Sequence, residues 1–200
     1  MSDNCRKYCN FAAMKYFMTA FFCLLSLHLS AQDKAYHGDG IDNGLRWVPV
    51  ASVVVLKACG VESASSWKRL GVNALSSIAL SSAVSWGLKK AVNERRPDGT
   101  DNKAFPSGHA TIAFAGAHIL HKEYGRLSPW ISVAGYGVAT ATAIDRVCRN
   151  RHHWWDVCAG AAIGILGTEA GYRIGDLITG ERSRYSVAVG PDALSLVVRF

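Results

Sequence analysis

Apolar positions in this 200-residue chain gather in long stretches with few charges, and short polar segments separate them. Stretches of this length and pattern favour helices over strands. The stretches that we predict to form core helices are residues 47–56, 70–88, 106–122, 127–144 and 154–174. The pattern therefore predicts five core helices after the N-terminal segment.

Local signals mark where these helices begin, end and touch. Pro106 and Ser107 are predicted to start the third helix, because proline is favoured at the first helical position and serine near the cap. Segment 89–103 is dense in charge and contains a proline-aspartate-glycine turn signature, which predicts a loop. Small residues in the last stretch have a spacing that allows close helix packing: Ala161, Gly164 and Gly167.

The C-terminal residues differ in character from the helices. Residues 185–189 and 194–200 alternate apolar and polar positions around a glycine-proline-aspartate turn, which is typical of a β-hairpin. The predicted fold class is therefore all-α, a compact helical bundle of five to six helices with a short C-terminal β-hairpin.

The N-terminus resembles a targeting segment. Basic residues precede a charge-free run, residues 16–32, that ends next to Ala31. This pattern predicts either a signal peptide cleaved after Ala31 or an uncleaved membrane anchor. Residues 32–46 are polar and rich in Gly and Asp, which indicates a connector. The predicted units are residues 1–31 as signal peptide or anchor, 32–180 as the helical domain and 181–200 as the hairpin tail.

Composition narrows the class of partner. Half of the residues are hydrophobic, 18% are charged and the formal charge is +7, while the mean hydropathy of +0.10 leaves membrane integration open. Excess Lys and Arg suit nucleic acid, anionic lipid or a phosphate-bearing substrate. The basic residues gather at helix ends, not along a stripe, which argues against nucleic acid. The six cysteines form no paired CxxC knuckles, so we predict no structural metal site.

The first block with candidate chemistry is Lys89 with Arg96, at the end of the second core helix and in the loop after it. A point charge and a planar guanidinium could grip one tetrahedral anion there. The alternative is a solvated charge run.

The second block is residues 106–109, Pro-Ser-Gly-His. Free backbone N–H groups at a helix start favour an anion, and Gly108 would let it approach the main chain near His109.

The third block contains Arg146, His152 and Asp156. Four residues separate His152 from Asp156, so on a helix both would lie on one face and the carboxylate would hold one ring nitrogen. His153 would then point about 100° away around the helix. A His/Asp metal pair and a simple salt bridge are the alternatives for this block taken alone.

In order and spacing, the three blocks resemble the signature of the type 2 phosphatidic acid phosphatase superfamily, which includes bacterial class A acid phosphatases and vanadium haloperoxidases. The resemblance covers residues 89–156 by motif and most of residues 45–178 by helix order. It implies an all-helical bundle with the active site at one mouth. In membrane members of the family, that mouth faces the non-cytoplasmic side.

The resemblance also implies a role for each site residue. His152 would attack phosphorus to form a phosphohistidine, Asp156 would orient it, and His109 would protonate the leaving group and then activate water. The groups implied to bind phosphate are Lys89, Arg96, Ser107, Gly108 and Arg146. No metal and no cofactor is implied, because cationic side chains stabilise the transition state.

The expected function is phosphate release from a lipid or lipid-linked substrate in the bacterial envelope, at an inner-membrane site that faces the periplasm. Candidate substrates are phosphatidate, phosphatidylglycerol phosphate, undecaprenyl diphosphate and the phosphorylated glucosamine of lipid A. The alternatives are a soluble periplasmic acid phosphatase acting on small esters, a haloperoxidase, and a basic membrane-surface or phosphate-binding protein without turnover.

One position departs from the family pattern. Asp145 stands where the family commonly has serine. Its carboxylate could repel substrate, or it could point away and brace Arg146 or Arg149. If an Asp145→Ser exchange left catalysis unchanged, the departure would be harmless.

Overall fold

The computed structural model describes residues 40–180 and the backbone of two strands, β1 (Tyr185–Val189) and β2 (Leu194–Val198). The predicted signal peptide or anchor and the hairpin turn lie outside the described residues. Within residues 40–180 the helices are α1 (Asp42–Leu45), α2 (Val48–Ala58), α3 (Trp67–Val92), α4 (Gly108–Tyr124), α5 (Pro129–Cys148) and α6 (Trp154–Thr179). The strands pair antiparallel, with Tyr185 opposite Val198. The predicted all-α class is confirmed.

The helices are longer than the apolar runs that predicted them. Helix α3 continues to Val92, into the segment predicted as a loop, and ends where Asn93 adopts a left-handed conformation with φ of 48°. Two lysines in its last turn do not break it, because positive charge at a helix C-terminus complements the dipole. Helix α6 continues to Thr179 and ends at Gly180, where φ is 68°. Charge density alone was therefore a poor marker of helix ends.

Helix α6 lies against both α3 and α4, and α4 also contacts α2 and α5. Glycines on α6 bring these axes close together. A Cβ on Gly164 would lie 2.5 Å from the Thr111 carbonyl oxygen, and one on Gly171 would lie 2.4 Å from Ser77 Cα. Both distances are shorter than any real Cβ contact, so these contacts require glycine. The predicted close packing through Gly164 is present.

We expect Gly171→Ala to lower the free energy of unfolding by about 1–3 kcal/mol, because the added methyl group forces α3 and α6 apart. Gly87→Ala is the matched control, since a Cβ there meets nothing within 4 Å. The free energy of unfolding of this control should rise by up to about 1 kcal/mol, because alanine has a better helix propensity than glycine. Urea titrations of both variants check the prediction, and equal stabilities would contradict it.

The length and hydropathy of the described helices test whether one of them could be a transmembrane helix. Within residues 40–180, no helix combines the length and apolar character needed to cross a bilayer. The possible anchor within residues 1–31 stays a prediction.

Candidate active site

The three predicted blocks meet at one end of the bundle. Lys89 lies in the last turn of α3, Ser107 caps the start of α4, Arg146 lies in the last turn of α5, and Asp156 lies in the first turn of α6. Neighbouring helices that alternate in direction bring these C-terminal and N-terminal ends together. The cations are close enough to act on one another, since Arg96 and Arg146 both lower the pKa of Lys89.

His152 lies at the centre of this cluster, with its side chain only 2% exposed. Asp156 Oδ2 lies 3.5 Å from His152 Nδ1, as the spacing predicted. The predicted reason was wrong, however, because α6 begins only at Trp154 and His152 precedes it. The contact forms because Asp156 folds back over the helix start, where its Oδ2 accepts a hydrogen bond of 2.8 Å from the His153 N–H.

The expectation for His153 was also wrong. It caps α6 instead of lying within the helix, so its ring is not turned away from the site. His153 Nδ1 lies 3.5 Å from the same Asp156 oxygen that faces His152. Two adjacent histidines thus share one carboxylate.

Burial and surrounding charge keep His152 neutral. Desolvation, and after it the charges of Arg96, Lys89 and Arg146, lower its pKa to about 2. A neutral imidazole has a free lone pair, which a nucleophile needs. The same cations would attract a phosphate group to that lone pair. The arrangement therefore places a neutral imidazole beside cations that can attract an anion.

Lys89 is held in place by the main chain. Its Nζ donates hydrogen bonds to the carbonyl oxygens of Lys103, at 3.0 Å, and Pro106. Burial, and after it the charge of Arg96, lower the pKa of Lys89 to about 8. An ammonium group is charged below its pKa, so this cation loses its charge as the pH rises through about 8.

We therefore expect kcat/KM for phosphate-ester hydrolysis to fall as the pH rises through about 8, because the free enzyme loses the positive charge of Lys89 beside His152 there. Lys89→Arg should move this limb to higher pH, since arginine stays protonated. Profiles of kcat/KM from pH 5 to 10 for both proteins provide the check. An identical alkaline limb in the variant would show that Lys89 does not set it.

Ser107 and Gly108 form the start of α4. The Ser107 hydroxyl accepts a hydrogen bond from the Ala110 N–H at 3.5 Å, and its own N–H donates to the Asp156 carbonyl oxygen at 2.9 Å. A Cβ on Gly108 would lie 3.8 Å from Lys89 Cε. That is an ordinary contact distance, so the lysine side chain lies directly beside the helix start. Both residues therefore lie where the sequence placed them, at a helix N-terminus beside a cation.

Arg96 is positioned from two sides. Its Nε donates to Asp101 Oδ1 at 2.7 Å and its Nη1 to the Arg151 carbonyl oxygen at 3.3 Å. These bonds hold the guanidinium near His152, whose pKa it lowers. The solvated charge run considered for this block does not describe Arg96, whose side chain is 11% exposed.

Arg146 is bound to a residue that the sequence did not single out. Arg146 is 2% exposed and its Nη1 donates to Oδ2 of Asp42, which is fully buried in α1. Asp42 Oδ1 also accepts from Arg149 Nη1 at 3.1 Å. The segment interpreted as a connector thus supplies a buried counter-ion to Arg146. An acidic residue before Asn-Gly suggests only a turn, so no local signal reveals this contact.

Helix α1 and the residue after it also contact His109. Asn43 Oδ1 lies 2.9 Å from His109 Nε2, and Arg46 Nη1 lies 3.2 Å from the same nitrogen. Asn43 Oδ1 can only accept, so it pairs with a protonated Nε2, whereas Arg46 can only donate, so it pairs with a deprotonated one. His109 therefore has a partner for either protonation state of Nε2.

Asp145 lies beside Arg149, with Oδ2 3.7 Å from Nη1. Burial, and after it the charge of Asp42, raise the pKa of Asp145. This contact is the one expected from a carboxylate that braces Arg149.

Residues 70–177 match the PAP2 superfamily. This range includes all three blocks. The chain belongs to the PAP2 superfamily. This confirms the resemblance to type 2 phosphatidic acid phosphatases. Helix α1, with Asp42 and Asn43, lies before the PAP2 match.

Two individual proteins resemble this PAP2 chain. A lipid A 1-phosphatase of Porphyromonas gingivalis is 42% identical over 147 residues, which are 73% of this chain and 33% of the relative. The chain thus spans about a third of that relative's length. The crystal structure of Aquifex aeolicus LpxE aligns with a TM-score of 0.52 and 21% identity, over 66% of this chain and 84% of that one. At that identity the likeness shows the fold alone.

Proposed function

We propose that this protein is a lipid phosphatase that acts through a phosphohistidine on His152. The observation that carries the proposal is a buried, neutral His152 with Asp156 at its Nδ1 and with Lys89, Arg96 and Arg146 near enough to depress its pKa. A site with three cations and a neutral imidazole suits transfer of a phosphoryl group.

We infer a reaction in two steps. The His152 Nε2 lone pair forms a bond to phosphorus while the bond from phosphorus to the leaving oxygen breaks, and His109 gives that oxygen a proton. Water then loses a proton to His109 and attacks the phosphohistidine, which releases inorganic phosphate and restores His152. Ser107, the Gly108 amide and the three cations bind the phosphoryl oxygens.

For the substrate, we infer a lipid whose phosphate is carried by a sugar, such as the phosphorylated glucosamine of lipid A. Support comes from the P. gingivalis relative, which is described as a lipid A 1-phosphatase. Such a substrate would place the protein in the bacterial envelope, with the active site on the periplasmic face of the inner membrane and residues 1–31 as signal peptide or anchor.

The test measures inorganic phosphate released by the full chain in detergent micelles. The panel contains lipid A, phosphatidate, undecaprenyl diphosphate and the soluble ester p-nitrophenyl phosphate. We expect lipid A to give the highest kcat/KM. Turnover of the soluble ester alone would favour a periplasmic acid phosphatase, and salt-sensitive lipid binding without turnover would favour a binding protein.

A further inference from the structure

A cluster of metal-ligating side chains lies beside His152, outside the set that binds phosphate. Glu94, His153 and Asp156 each offer a ligand atom, and these atoms all lie within 4.8 Å of one another. We propose that they form a site for a divalent transition-metal ion such as Zn²⁺, and that the ion inhibits the enzyme. The inhibition rests on the proposed function, whereas the binding does not.

The distances fit metal coordination better than hydrogen bonding. His153 Nδ1 lies 3.6 Å from Glu94 Oε1 and 3.5 Å from Asp156 Oδ2. Both separations are longer than a good N–H···O hydrogen bond. Ligand atoms of a tetrahedral zinc ion, with bonds of about 2.0–2.2 Å, lie roughly 3.4 Å apart. Small shifts would therefore bring these atoms onto one ion.

Asp156 carries the strongest sign of a missing partner. Its side chain is fully buried, and Oδ2 accepts from the His153 N–H while Oδ1 has no hydrogen bond. An unsatisfied buried carboxylate oxygen is costly, and a cation bound by both oxygens of this carboxylate would lower that cost.

Neighbouring side chains hold the other two ligands in place. The ring of His153 stacks on Trp155, with centroids 4.3 Å apart and an interplanar angle of 8°. The Trp155 Nε1–H donates to Glu94 Oε1 at 3.0 Å. Metal-ligating carboxylates usually accept such an outer hydrogen bond, which fixes their orientation. One tryptophan thus positions both ligands.

The ligand set selects the kind of ion. One imidazole and two carboxylates suit Zn²⁺, Co²⁺ or Cu²⁺ better than Mg²⁺, which prefers oxygen ligands and keeps its water. The side chains of His153 and Glu94 are 32% and 28% exposed, so an ion can enter from solvent and retain water as a further ligand.

The shared carboxylate connects this site to catalysis. Asp156 Oδ2 is 3.5 Å from the Nδ1 of both His152 and His153. His152 becomes positively charged when it attacks phosphorus, and the negative charge of Asp156 stabilises that state. An ion bound to Asp156 would neutralise this charge and remove the stabilisation. Metal binding should therefore slow formation of the phosphohistidine.

The binding test titrates the chelator-treated full chain with Zn²⁺ by calorimetry and with Co²⁺ by visible absorption, with Mg²⁺ as the comparison ion. The variants are Glu94→Gln and His153→Asn, which keeps a good helix cap. We expect one Zn²⁺ per chain, tetrahedral Co²⁺ bands, and affinity at least about tenfold weaker in each variant. Equal Zn²⁺ affinity in wild type and variants, or no Zn²⁺ binding by the wild type, would overturn the site.

The activity test follows phosphate release under the same conditions. A chelator should raise the wild-type rate, added Zn²⁺ should lower it, and Glu94→Gln should need at least about ten times more Zn²⁺ for the same inhibition. One bound Zn²⁺ without any change in rate would overturn the inhibition and leave the site standing. Zn²⁺ binding by a chain that releases no phosphate from any substrate would instead contradict the proposed function.

Discussion

His152→Ala should lower kcat for phosphate release by at least about a thousandfold, because no other described group can form the covalent intermediate at that position. The imidazole is buried among Lys89, Arg96 and Arg146, and its pKa of about 2 keeps it neutral. Alanine leaves those cations in place, so substrate should still bind. We therefore expect KM to change far less than kcat.

Steady-state phosphate release and trapping of the labelled intermediate measure this effect. Wild type should yield a phosphoenzyme that is labile in acid and stable in alkali, and His152→Ala should yield none. His121→Ala is the control, since that ring lies on α4 and pairs with Ser132. Residual activity above about a tenth of wild type in His152→Ala would exclude this residue as the nucleophile.

Asp42→Asn should lower the free energy of unfolding by about 3 kcal/mol, because it leaves Arg146 buried without its counter-ion. Asp42 is fully buried and pairs with both Arg146 and Arg149. The remaining positive charges of the site would then repel one another. An anion bound among them should offset this repulsion, so vanadate should raise the melting temperature more in the variant than in wild type.

Urea titrations measure the free energy of unfolding, and thermal melts with and without vanadate measure the shift in melting temperature. The control is Glu169→Gln, which removes the charge of a 43% exposed carboxylate that pairs with Lys122 and His118. Exposed pairs contribute about 1 kcal/mol or less. If the Asp42 variant is no less stable than the control, Asp42 is not the counter-ion on which Arg146 depends.

Much of the fold followed from local patterns. Apolar runs predicted five core helices, and all five are present because each buries a face against a neighbour. Ser107 was predicted near a helix start because serine satisfies free N–H groups there, and it caps α4. The end of α3 was placed too early, since the charge density of segment 89–103 predicted a loop, although lysines such as Lys90 suit the last turn of a helix.

The candidate site was predictable where its chemistry lies within a short segment. Lys89, Arg96, His109 and His152 were singled out by residue type and spacing, and the fold brings their blocks to one end of the bundle. The partners across the bundle were not predictable. Asp42 and Arg146 are 104 residues apart in sequence, and nothing local relates them.

By itself, the sequence determined the helical class, the order of the helices and the family to which the chain belongs, because periodicity, caps and motif spacing are properties of short segments. Only the tertiary structure decided that Asp42 neutralises Arg146, that His153 turns toward Asp156, and that burial among cations keeps His152 neutral. These features depend on distances and desolvation between segments far apart in the chain, and such quantities exist only once the helices have packed.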